Sequence, residues 1–122
     1  MSLRTLAVLS WVGLFVGALV WAGQHVVGYG ITHAKCGGAG FGISNDLSQA
    51  ILLAVSVAAI ALAEAAAVAA FVGTNDTSYE ADPPSSRIRF FAIAAIPANL
   101  IFLMIVLLDG LASIFTTACV GA

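Results

Sequence analysis

The chain reads as an all-α integral membrane protein: three transmembrane helices, N-terminus in and C-terminus out, forming a single bundle. Three observations predict this. Hydrophobic residues make up 61% of the 122 and charged residues only 8%, against about 25% charged in a soluble domain. A chain this short has no water-facing core large enough to hide so much apolar surface, and its three apolar runs exceed the roughly 20 residues that cross a hydrocarbon layer. Finally, Arg4, Arg87 and Arg89 fall on one side of those runs and Lys35 alone on the other. The positive-inside tendency then puts the N-terminus in the cytoplasm. A net charge of −2 gives no electrostatic footprint for nucleic acid or a polybasic lipid switch.

Helix one is predicted over about residues 5–27. Arg4, the apolar stretch from Leu6 to Val20 and Val20-Trp21-Ala22 imitate a signal peptide. The apolar run continues past that site, which indicates an uncleaved membrane helix. Gly13 and Gly17 form a Gly-x-x-x-Gly pair, and Ala18 and Ala22 repeat the spacing. Small residues four apart let helix backbones approach closely in lipid, either within the chain's own bundle or at a seam with another membrane protein. Trp21 and Tyr29 suit an interfacial aromatic belt.

Residues 28–45 carry six glycines and are predicted as a loop. Asp46 with Gln49 has the spacing of a capping box, with Ser44 or Asn45 as alternative caps. Helix two follows over about residues 47–72, rich in alanine and interrupted by Glu64. The segment from Gly73 to Arg87 is hydrophilic, with Asp76, Glu80, Asp82 and Pro83-Pro84, and reads as a turn-rich loop. Helix three is predicted over about residues 88–114. Pro97 removes one helical hydrogen bond and crowds the preceding turn, so a kink is expected near residues 93–97.

Polar chemistry concentrates between Trp21 and Cys36, which holds both histidines, one of the two cysteines and the only lysine. With three helices, Cys36 and Cys119 both reach the outer face, where disulfides persist. A Cys36–Cys119 bond would close a loop of more than eighty residues, with a chain-entropy expectation of about 4 kcal/mol. A second reading is a copper or zinc site, because His33-x-x-Cys36 has ligand-like spacing and His25 and Cys119 complete a set. Free thiols are the third.

Depth follows from the helical rise. His25 lies about 30 Å along helix one from Thr5, and Asp109 about 31 Å along helix three from Ile88. The two share a level near the outer interface, where Gln24, His25, Tyr29, His33 and Asp109 form a polar outer cluster. A structural His25–Asp109 pair is the simplest use of it; a haem ligand is the other, and a bis-histidine haem would need His33 or a histidine from another chain. Glu64 lies about 12 Å from the inner end of helix two, and Asn99 about 16 Å from that of helix three. An acid near the bilayer centre costs about 2.5–3.5 kcal/mol on insertion scales. Asn99 is therefore expected to hydrogen-bond a protonated Glu64, and the carboxyl is a candidate for proton handling. The sequence carries no HExxH, phosphate-binding glycine loop or nucleophile elbow, and Gly-Gly-Ala-Gly at 37–40 is loop punctuation.

At Trp21-Ala-Gly-Gln-His-Val-Val-Gly-Tyr-Gly the chain resembles small three-helix bacterial membrane proteins encoded beside haem–copper terminal oxidases. Those have a Trp-Ala-x-x-His/Leu-x-x-Gly-Tyr exit from helix one, a cysteine several residues later and a second near the C-terminus. Trp21, Ala22, His25, Gly28, Tyr29, Cys36 and Cys119 match that outline. The acidic, proline-bearing inner loop departs from it, as does a Cys119 followed by three residues. The resemblance implies a non-catalytic accessory subunit of a respiratory complex in the bacterial inner (cell) membrane, a hetero-oligomer with larger integral membrane subunits and lipid. No cofactor of its own is expected, the alternative being copper or haem shared with a partner subunit. Two competing readings are a copper or redox assembly factor on the outer face, and an oligomeric proton-coupled transporter component using Glu64.

Overall fold

A computed structural model describes residues 1–36 and 44–115. It contains three helices, α1 (Leu3–Cys36), α2 (Asn45–Gly73) and α3 (Ser85–Phe115), each packed against both of the others. All three are long and apolar enough to cross a membrane. At 1.5 Å per residue they extend about 51, 44 and 46 Å, beyond the roughly 30 Å of a hydrocarbon core.

The helices are apolar on every side, so side-chain size rather than hydropathy decides which face turns inward. Small residues fill the centre: Ala63, Ala66, Ala67 and Ala70 of α2, with Ala92 and Ala95 of α3, are all buried. Gly13 and Gly17 of α1 are also buried within the chain's own bundle. A methyl group built on Gly13 would meet Cβ and Cα of Ala67 at 2.8 and 2.9 Å, so the α1 and α2 backbones are nearly in contact there. The bundle therefore uses this Gly-x-x-x-Gly pair internally, and it is not available as a seam for a second protein. Leu6, Ala70, Ile88 and Ala92 close the core at the end that carries Arg4.

Helix α1 runs to Cys36, well past the predicted end at residue 27, and so takes in Gly28, Gly30 and His33. A glycine inside a helix costs about 0.8–1 kcal/mol relative to alanine, and cross-helix contacts offset it. The Gln49 Nε2 of α2 donates to the Gly28 carbonyl oxygen and to Thr32 Oγ1, both at 3.1 Å. A methyl group built on Gly28 would lie in ordinary contact with Gln49 Oε1 and Leu52 Cδ2, at 3.4 and 3.5 Å.

The start of α2 uses one of the two alternative caps expected from the sequence. Ser44 is the N-cap, its Oγ accepting from the Leu47 amide at 3.2 Å. The Asp46–Gln49 capping box is not used, because the Gln49 amide reaches across to α1 instead. Helix α3 continues through Pro97.

Candidate functional site

Two polar belts lie about one hydrocarbon thickness apart. Arg4 and Arg89 mark the first; His25 and Asp109 follow 21 and 20 residues further along their helices, about 30 Å on at 1.5 Å per residue. Parallel packing of α1 and α3 then brings the second pair together, with His25 Nε2 3.5 Å from Asp109 Oδ2. That is longer than a well-formed hydrogen bond and within ion-pair reach. Both side chains are about half exposed.

Contacts within and between helices position the side chains around the pair. Gln24 is buried, and its Nε2 donates to the Val106 carbonyl oxygen of α3 at 3.4 Å, leaving Oε1 buried with no partner. Ser113 Oγ donates to the Asp109 carbonyl oxygen at 2.9 Å. Gln24, His25, Tyr29, Gln49, Asp109 and Ser113 line a pocket of about 250 Å³. The sequence-predicted outer cluster thus meets there in four of its members, joined by Gln49 and Ser113. Their involvement depends on how α2 and α3 are rotated, which a sequence apolar on all faces does not encode.

His33 sits elsewhere. Because α1 continues as a helix, Trp21, His25, Tyr29 and His33 recur every fourth residue and line one helix face. The Trp21 and His25 rings are 5.3 Å apart, and Tyr29 stacks on His33 at 5.9 Å. Tyr29 is 74% exposed, and His25 and His33 are exposed as well. Eight residues, about 12 Å of rise, separate the two histidines. Among the described residues no group of three His, Cys, Asp or Glu side chains gathers to hold a metal ion. Cys119 lies outside the described residues, and of Cys36 only the helical backbone is described, so the disulfide and the four-ligand metal set fall outside them too.

In the middle of the bundle Asn99 is 1% exposed. Its Nδ2 donates to the Gly13 carbonyl oxygen at 2.8 Å, rather than the side chain bonding Glu64 as expected. The close approach at Gly13 and Gly17 is the reason, since it opens the α1 backbone to a side chain from α3. Asn99 Oδ1 and Glu64 Oε2 are both buried without a hydrogen-bond partner. Helical rise had placed the two residues at one depth, but rotation about the helix axes decides which partner Asn99 meets.

No family model matches the chain, and neither a curated protein nor a solved structure is found to match it.

Proposed function

We propose that the chain is a small non-catalytic accessory subunit of a larger complex in the bacterial inner membrane, associated with a terminal oxidase as its resemblance implies. The observation that supports this reading most is the outward placement of His25, Tyr29 and His33. Tyrosine is enriched at protein interfaces and membrane boundaries, and all three side chains are exposed. A larger integral membrane subunit seated on this face would cover rings and imidazoles that are now exposed. Purification from native membrane tests the idea: the chain should co-migrate with haem-containing subunits on a native gel. A stable isolated monomer would overturn it.

The orientation that goes with this reading places Arg4, Arg87 and Arg89 in the cytoplasm and the His25–Asp109 belt outside. A thiol introduced as Ser78→Cys, in the loop between α2 and α3, is expected to react with an impermeant maleimide only after cells are permeabilised. Reaction in intact cells would reverse the topology.

A further inference from the structure

Of the chain's three arginines, Arg89 alone bonds to another helix among the described residues. We infer that the other two, Arg4 and Arg87, hold the phosphate of one anionic phospholipid, whose acyl chain follows the aromatic seam of α1 and α3 beside them. The inference goes beyond the accessory-subunit reading and holds whichever side of the membrane this end of the bundle faces.

Helix geometry puts these two cations on one side of the bundle. Trp11 of α1 and Phe91 of α3 meet edge to face, their ring centroids 5.1 Å apart. Arg4 precedes Trp11 by seven residues and Arg87 precedes Phe91 by four, two turns and one turn of helix. Both arginines therefore leave the bundle on the side where those rings meet. The corresponding rises are about 10 and 6 Å, so the two residues lie within about 5 Å of one depth. Both are exposed, and neither has a hydrogen-bond or ion-pair partner among the described residues. All six acids of the chain are described, so no carboxylate of its own satisfies them.

Charge and position select the lipid. Asp76, Glu80 and Asp82 belong to the loop between α2 and α3, whose Tyr79 lies against Arg89. Arg87, two residues before Arg89, projects about 200° away from it around α3, towards the Trp11–Phe91 contact. Helix α1 carries no acid anywhere and α3 none in its first turn, so the helix faces that meet here present no negative charge. A guanidinium at the membrane boundary grips a phosphate through parallel N–H donors. Deeper in the bilayer Trp11 stacks on Phe15 at 5.0 Å, and both rings are about half exposed, an apolar track for an acyl chain. A zwitterionic lipid brings its own cation against the arginines, whereas phosphatidylglycerol does not. In bilayers without anionic lipid the site is empty and Arg87 contributes nothing to folding.

Native mass spectrometry of the full chain, taken from mixed micelles with equal amounts of phosphatidylglycerol and phosphatidylcholine, tests the site. Phosphatidylglycerol should be retained preferentially. That preference should fall about fivefold in Arg87→Gln, the effect of one basic residue at an anionic headgroup, and vanish in the double variant Arg4→Gln/Arg87→Gln. Arg89→Gln removes the same charge from the same end of the bundle and should keep the preference, read at a temperature where every variant retains wild-type helix content. Equal losses in Arg87→Gln and Arg89→Gln would reduce the effect to net charge and overturn the site, as would equal retention of the two lipids by the wild type. Soluble glycerophosphoglycerol, the headgroup without its chains, should leave the lipid in place; displacement at equal concentration would make this a site for a soluble phosphate and overturn the lipid assignment.

Discussion

Replacing Gly13 with alanine is expected to destabilise the bundle by about 1–3 kcal/mol, the usual cost of overpacking a filled core. The reason is local. The new methyl carbon would sit 2.8 Å from Ala67 Cβ, 2.9 Å from its Cα and 3.0 Å from its amide nitrogen. Two of those atoms are backbone, so no rotamer change relieves the clash, and the α1–α2 separation has to grow. That movement also disturbs the 2.8 Å bond from Asn99 to the Gly13 carbonyl. Gly17→Ala acts through the same residue, because its methyl would collide with Asn99 Oδ1. Gly23 provides the internal comparison, since a side chain there meets nothing within 4 Å. Gly23→Ala keeps the packing and gains helix propensity of up to about 1 kcal/mol. Unfolding free energies of the three variants in bilayers decide the matter. If Gly13→Ala and Gly23→Ala are equally stable, the α1–α2 register described above is wrong.

Three helices and the depth of each polar residue were legible in the sequence because run length and rise per residue are properties of one chain segment at a time. Arithmetic alone put His25 and Asp109 at one level, and they stand 3.5 Å apart. What needed the fold was rotation. In a soluble helix an apolar stripe reports the buried face, but here every face is apolar. The sequence therefore left open that Asn99 turns to Gly13 and that Gln49 turns to Gly28. The end of α1 was obscured for a related reason. Gly28 and Gly30 carry the signature of a loop, and the side chain that holds this stretch helical, Gln49, belongs to another helix. Reading those residues as a loop also hid the four-residue repeat of Trp21, His25, Tyr29 and His33, which is visible in the sequence once the helix is extended. The arginines, used only as topology signals, gave no hint that one of them caps a helix.

That arginine is Arg89, and Arg89→Met is expected to cost about 2–3 kcal/mol. Helix α2 ends at Gly73 without a basic residue in its last turn, so its terminal carbonyls need donors from elsewhere. Thr74 supplies one, its Oγ1 donating to the Ala70 carbonyl oxygen at 2.8 Å. Backbone amides supply others, Thr74 N donating to the Phe71 and Asn75 N to the Val72 carbonyl oxygen, both at 3.2 Å, and Arg89, reaching over from α3, adds a charged donor: Nη1 donates to the Thr74 carbonyl oxygen at 2.8 Å and to that of Phe71 at 3.3 Å. Its guanidinium carbon lies 4.6 Å from the Phe71 ring centroid and 5.5 Å from that of Tyr79. Hydrogen bonds from a charged donor contribute about 1.5–3 kcal/mol, and a cation at a helix C-terminus adds roughly 0.3–1 kcal/mol. The estimate stays below their sum because water at the membrane boundary partly replaces the lost donors. Arg89→Lys should recover part of the loss, since an ammonium keeps the charge but gives up the planar fork and its stacking on Phe71. Arg87, exposed two residues earlier, is the matched control, because Arg87→Met removes the same topogenic charge. Reversible unfolding in bilayers should therefore rank wild type and Arg87→Met together, Arg89→Lys below them and Arg89→Met lowest. Equal stability of Arg87→Met and Arg89→Met would show that Arg89 acts only as a topogenic charge and does not cap α2.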